Sequence, residues 1–143
     1  MRKERRNGNL TAAAGEYFVA AELSRRGFVA ERTGLSKDVD IVARHEQTGA
    51  MLSVQVKSLY TNNSFPISHA KVRPDVVYVF VLLQELGTVQ YYIVPGCILR
   101  DRPGEFGPYF TAPSEKIPCI FPAQLEKYEG NWAAFNAVSA SGS

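Results

Sequence analysis

Asp38-Val-Asp-Ile-Val42 and Ser53-Val-Gln-Val-Lys57 are the two stretches that decide the fold of this chain. Both alternate polar and apolar residues with the period of two that is typical of a β-strand. Gln47-Thr-Gly49 lies between them and predicts a turn, so the two strands are expected to form a hairpin. The alternation places the polar residues on one face of their strands: Asp38 and Asp40 on the first, and Ser53, Gln55 and Lys57 on the second. Polar groups inside apolar strands are costly without partners, so we expect them to face each other across the hairpin and hold an ion.

The rest of the 143-residue chain predicts an α/β protein. A helix is expected from about Leu10 to Arg26, with Asn9 as its N-cap and Gly27 as its C-terminal stop. Further strands are expected at 28–33, 39–46, 51–59, 76–83 and 89–94, loops over 97–122 with a short strand near 117–121, and helices at 122–128 and 132–138. This order predicts a three-layer α/β/α sandwich with a central mixed sheet. We expect one domain over residues 1–143, with a flexible basic arm at 1–9 and a flexible tail at 139–143.

Charge is distributed unevenly along the chain, although its net value is only +2. Residues 1–73 contain 12 Lys and Arg against 7 Asp and Glu, and the remainder contains 4 against 7. A basic half is what a phosphate-binding surface needs, but on charge alone a solvated basic face is the better explanation. No apolar run approaches the roughly 20 residues of a membrane span, so no membrane association is expected. Cys97 and Cys119 are interpreted as free thiols in a reducing cytoplasm, with a disulfide as the alternative.

Glu16 is the exception in the predicted first helix, because its neighbours at helical spacing are apolar. A metal-dependent phosphodiesterase needs hard oxygen ligands and a cation beside the phosphate. Glu16, Asp40, Gln55 and the main-chain carbonyl of Val56 are the candidate metal ligands, and Lys57 is the candidate residue to orient or deprotonate the attacking water. Taken singly, Glu16 suits a helix edge and Gln55 and Lys57 suit a solvent-facing strand. Their conjunction favours a catalytic site.

These pieces resemble the PD-(D/E)XK nuclease superfamily. Gly15-Glu16, Asp40-Ile-Val42 and Val54-Gln-Val-Lys57 follow one another in the family's order, and the chain looks closest to the Holliday-junction-resolvase-like branches. The resemblance covers about residues 10–94. It implies a restriction-endonuclease-like fold, Mg²⁺ or Mn²⁺ bound at Asp40 and position 55, an accessory role for Glu16 and catalysis by Lys57.

Gln55 departs from the family, which usually has Glu or Asp at that position. An amide oxygen is neutral, so Mg²⁺ is expected to bind more weakly, and Asp38 is the nearest candidate to replace the charge. The main functional interpretation is an endonuclease that acts on DNA. The alternative is a nuclease-fold module that binds nucleic acid or a protein partner with little or no cleavage.

Contacts to nucleic acid are expected from basic residues on both sides of the motif: Arg25, Arg26, Lys37, Lys71 and Arg73. The resolvase-like relatives act as dimers, so a homodimer is also expected, through an exposed apolar patch at Phe106–Phe110. Whether the substrate is DNA or RNA, and which form it has, stays open at this point.

Overall fold

The computed structural model describes residues 8–34, 38–84 and 87–136. The strands are β1 (Phe28–Arg32), β2 (Ile41–His45), β3 (Met51–Leu59), β4 (Phe65–Pro66), β5 (Val76–Leu82), β6 (Gln90–Pro95) and β7 (Cys119–Ile120). The α-helices are α1 (Gly8–Arg25) and α2 (Gly96–Asp101), with 3₁₀ turns at His69–Lys71, Pro103–Phe106, Ser114–Lys116 and Pro122–Tyr128. Residues 133–136 add a last helical turn.

Helix α1 packs on the sheet through a narrow stripe of residues four apart: Gly15, Val19 and Leu23. Spacing by four returns side chains to the same face of a helix, which explains why this stripe is buried. The helix ends at Arg25, and the predicted stop at Gly27 follows it with a φ of 94°, which glycine readily adopts. Asn9 is not the N-cap, because the helical backbone already begins at Gly8.

The main sheet has the strand order β1-β2-β3-β5-β6. Strands β3 and β5 are parallel, and the other neighbours are antiparallel. The predicted mixed sheet is therefore confirmed. Strand β5 is buried along its whole length, which agrees with its almost continuously apolar sequence.

Each face of this sheet carries its own apolar core. On the face of α1 the core includes Val54, Val79, Trp132 and Phe135. On the opposite face, α2 and the 3₁₀ turns cover a second core that is rich in aromatic residues: Phe65, Tyr78, Phe80, Phe106, Phe110 and Tyr128. These three layers confirm the predicted α/β/α sandwich. None of the helices in the described ranges is long and apolar enough to cross a bilayer.

One expectation for the C-terminal half is wrong and one is confirmed. Residues 97–101 were expected to be a loop but belong to α2, and Leu99 anchors this short helix by being fully buried. The short strand expected near 117–121 is present as β7, which pairs with β4 in a separate two-stranded sheet.

Phe106 and Phe110 do not form the exposed apolar patch that was expected to support a dimer. Both side chains are 0% exposed, because their rings pack edge to face against each other and Phe106 stacks on Tyr128. Tyr109 is the large side chain of this segment that reaches solvent. The segment therefore belongs to the core, and the predicted dimer surface is wrong.

Candidate active site

The ladder between β2 and β3 loses its regular pairing at Asp40. Ile41 is the register partner of Val54, yet the N–H of Asp40 also donates to the Val54 carbonyl at 2.8 Å. Two residues of one strand thus oppose one residue of the other, which is the arrangement of a β-bulge. A bulge interrupts the alternation of faces along a strand, so the period of two that was expected through Asp38 and Asp40 does not continue unbroken into β2.

The Asp40 carboxylate accepts a hydrogen bond from β3 that a main-chain carbonyl would accept in a regular sheet. The N–H of Val56 donates to Oδ2 of Asp40 at 2.8 Å. In a β-strand the N–H and C=O of one residue point to the same edge, so the Val56 carbonyl lies on this edge as well. Asp40 and the carbonyl that was predicted as a metal ligand therefore border the same gap in the sheet.

A close approach of α1 to β3 brings Glu16 to this gap. A Cβ atom on Gly15 would lie only 1.7 Å from the Ser58 hydroxyl oxygen, so the helix can pack this closely only with glycine at position 15. The next residue, Glu16, accepts a hydrogen bond at Oε1 from Nε of Arg32 at 3.0 Å. Arg32 also lies over the ring of Tyr17, with 4.2 Å between the guanidinium carbon and the ring centre. Arg32 was not predicted as a site residue. The feature of the sequence that could have indicated it is its position at the end of the strand that follows α1.

Opposing charges act on Asp40 from both faces of the sheet. Burial raises the pKa of Asp40, the Val56 N–H lowers it, the Glu16 carboxylate raises it and the Lys57 ammonium lowers it. Burial likewise lowers the pKa of Lys57, and the charge of Asp40 opposes that shift. Asp40 and Lys57 therefore form an electrostatically coupled pair that is partly removed from water.

Gln55 and Lys57 line a cavity of about 200 Å³ on the face of the sheet opposite to α1. The remaining walls are Asp38, Ile67, Ser68, Lys71, Val72 and Tyr78. The structure thus separates the predicted site residues into three positions. Glu16 lies on the helix side, Gln55 and Lys57 lie on the cavity side, and Asp40 lies between them at the bulge.

The oxygen donors around the gap suit a hard cation. They are two carboxylates, from Asp40 and Glu16, and the neutral carbonyl of Val56, whereas the Gln55 amide lies on the cavity side. Within the described ranges no group of three or more His, Cys, Asp and Glu is arranged to hold a metal. A cation here would also offset the burial and the Glu16 charge that raise the pKa of Asp40.

Of the five basic residues expected to contact nucleic acid, the four within the described ranges lie on different parts of the fold. Lys71 lines the cavity, whereas Arg73 makes a two-pronged ion pair with Asp75 at 2.8 and 3.2 Å. Arg25 and Arg26 pair with Glu22 near the end of α1, about 13 Å along the helix axis from Glu16. Lys37 lies outside the described residues.

No family model and no curated protein matches this chain. Among solved structures it is similar to Hjc, a Holliday junction resolvase from the archaeal hyperthermophile Archaeoglobus fulgidus. The two share 16% sequence identity with a TM-score of 0.46, over 81% of this chain and 95% of that chain.

Proposed function

We propose that this chain is a metal-dependent endonuclease that hydrolyses phosphodiester bonds in DNA, formed as one PD-(D/E)XK nuclease-like domain over residues 1–143. The observation that carries the proposal is the placement of Asp40. Its carboxylate is partly buried at a β-bulge, with Glu16 on one side and Lys57 on the other. Titratable groups perturbed by burial and by each other, beside a cavity, are typical of catalytic sites.

Asp40 and the Val56 carbonyl are the proposed primary ligands of Mg²⁺ or Mn²⁺. Glu16 and Gln55 are proposed to contact the ion directly or through its water. The bound ion would supply positive charge for the phosphate oxygens and make a nearby water more acidic. Arg32 holds the Glu16 side chain by a hydrogen bond at 3.0 Å, which limits the positions from which Glu16 can act.

Lys57 is the proposed catalytic residue on the cavity side. Its ammonium group can donate to a phosphate oxygen and stabilise the negative charge that builds up during hydrolysis. The lowered pKa also raises the fraction of neutral amine at a given pH, and a neutral amine can accept a proton from the attacking water. Both roles require that Lys57 stay close to Asp40, whose charge attracts it.

Cleavage assays on supercoiled plasmid, linear duplex and a four-way junction, with Mg²⁺ and then Mn²⁺, test this proposal. Lys57→Ala and Asp40→Asn should each lower the cleavage rate by at least about 100-fold, the loss typical for removal of a charge-stabilising group. Lys116→Ala is the matched control, because Lys116 is an exposed lysine that does not line the cavity. Cleavage that persists in either site variant would overturn the residue assignment.

Gln55→Glu tests how the neutral amide affects the reaction. An added carboxylate should tighten Mg²⁺ binding and raise the cleavage rate, and calorimetric titration with Mg²⁺ measures the first effect without relying on activity. If neither protein cleaves and both still bind DNA in a salt-sensitive manner, the chain is a binding module and the nuclease proposal is wrong.

A further inference from the structure

The cavity beside Lys57 contains a second ammonium group that the proposed hydrolysis does not use. Lys71 lines this cavity from the loop that connects β4 to β5. The charge of Lys71 acts on Lys57 across the cavity and adds to the effect of burial in lowering the pKa of Lys57. Two cations that share a small, partly enclosed space repel each other, and a bound anion removes that repulsion.

The loop that carries Lys71 is fixed by hydrogen bonds on both sides of it. The N–H of His69 donates to the Phe110 carbonyl at 3.2 Å, and the His69 ring lies 2.9 Å from the Arg100 carbonyl through Nε2. Nη1 of Arg100 donates to the Val72 carbonyl at 3.3 Å. Lys71 is therefore presented from a loop that is held in place before any ligand arrives, which lowers the entropic cost of binding.

Hydroxyl groups complete the lining of the cavity. The Tyr78 oxygen accepts the N–H of Arg73 at 2.9 Å, and its own O–H remains a donor. Ser68 adds a second hydroxyl. The cavity has a volume of about 200 Å³, which is room for a phosphate group with some of its water.

We propose that this cavity is a subsite for a backbone phosphate next to the one that is cleaved, with Lys71 and Ser68 as its ligands. The assignment rests on the proposed function, because Lys57 is shared between the subsite and the reacting phosphate. Asp38 lines the same cavity, and its negative charge acts on Lys57 and Arg73. In this arrangement Asp38 competes with the phosphate for the cations and is not a metal ligand.

Salt dependence of DNA binding tests the subsite without any need for cleavage. In Lys71→Gln the slope of log K against log salt should become shallower by about 1, because one phosphate contact is lost. Lys116→Gln is the control and should keep the slope of the original protein. Lys71 is exposed, so its replacement leaves the fold intact. An unchanged slope in Lys71→Gln, or no DNA binding by the original protein, overturns the subsite.

The position of the bound phosphate relative to the cleaved bond is tested with oligonucleotides in which one phosphate is replaced by a neutral methylphosphonate. Neutralising the phosphate beside the cleaved bond should weaken binding as much as Lys71→Gln does, and should have no further effect in that variant. Losses that multiply would show that Lys71 contacts a different group, and would overturn the assignment.

Asp38→Asn separates the two roles that are open to this carboxylate. As a competitor of the phosphate, its loss should tighten DNA binding severalfold and leave Mg²⁺ affinity unchanged. Weaker Mg²⁺ binding would instead make Asp38 a metal ligand.

If Lys57→Ala abolishes cleavage while Lys71→Gln changes neither the slope nor KM, the nuclease proposal stands and the subsite falls. A changed slope in a protein that never cleaves DNA would leave the subsite standing as a phosphate-binding site and remove the nuclease.

Discussion

Strand β3 has two edges that differ in how completely they are paired. Along β5 the parallel pairing is unbroken from Ser53 to Leu59. Along β2 the antiparallel register ends at Val54, and beyond it the Asp40 side chain takes the N–H of Val56. The first edge satisfies its backbone groups with backbone alone, and the second leaves a gap that a carboxylate fills. A stable core and a charged site can thus share one strand because they use different edges.

The largest effect on stability is expected on the β5 side. Phe80 is fully buried and packs edge to face on Phe65, with 5.2 Å between ring centres. Phe80→Ala should lower the free energy of unfolding by about 3–5 kcal/mol, from lost apolar burial and the cavity left behind. Val42→Ala on β2 is the comparison and should cost less, since Val42 is only partly buried. Urea unfolding measures both, and equal losses would remove the contrast between the two edges.

Substitution of Asp40 should separate its structural role from its chemical role. Asp40→Ala leaves the Val56 N–H without its acceptor, which should cost about 1–3 kcal/mol of stability. Asp40→Asn keeps an oxygen acceptor and should remain within about 1 kcal/mol of the original protein. Both variants should lose cleavage. If the two variants unfold at the same denaturant concentration, the hydrogen bond to Val56 contributes nothing to the fold.

Replacing Lys57 by an uncharged residue should stabilise the protein. Burial lowers the pKa of Lys57 from its ordinary value of 10.5, so the cation is less favourable in the folded chain than in the unfolded chain. This cost is fully present below the folded pKa and disappears as the pH rises through the folded pKa toward 10.5. Lys57→Met should therefore gain about 0.5–2 kcal/mol at neutral pH, the range of typical stabilising substitutions, and the gain should shrink with rising pH. Unfolding curves of both proteins between neutral pH and the unfolded pKa provide the check, and a gain that does not vary with pH would point to packing rather than charge.

The smallest effect is expected far from both edges. Arg25 has a side chain that is 77% exposed and pairs with Glu22 at 2.8 Å. Exposed ion pairs contribute little, so Arg25→Gln should change stability by no more than about 0.5 kcal/mol. It should also leave the salt dependence of DNA binding almost unchanged, in contrast to Lys71→Gln. If the slope of log K against log salt became shallower by about 1 in Arg25→Gln, the end of α1 would also belong to the DNA-binding surface.

The elements that could be predicted from the sequence are the long ones. The apolar run at 76–83 and the helical periodicity over residues 10–26 each extend over enough residues to identify an element, although the buried stripe of the helix through Val19 was not predicted. Helix α2 was missed because its six residues give too short a pattern. The 3₁₀ turns and the β4–β7 pair depend on contacts between distant segments, which no local pattern records.

The candidate site could be predicted as a set of residues but not as an arrangement. Alternation along the strand does not reveal a bulge, because a bulge is a property of the pairing between two strands. The hydrogen bond between Glu16 and Arg32 joins residues that are 16 positions apart, and the contribution of Lys71 depends on where its loop returns to the sheet. Each of these features is set by tertiary structure.

The bulge at Asp40 also has a genetic consequence. Because it consists of one additional residue, deletion of a single codon at this point would return β2 and β3 to an ordinary hairpin and close the gap. A substitution can change the charge in that gap but cannot remove the gap itself. A change in length at position 40 would therefore alter the backbone that positions these groups, which a change of side chain leaves in place.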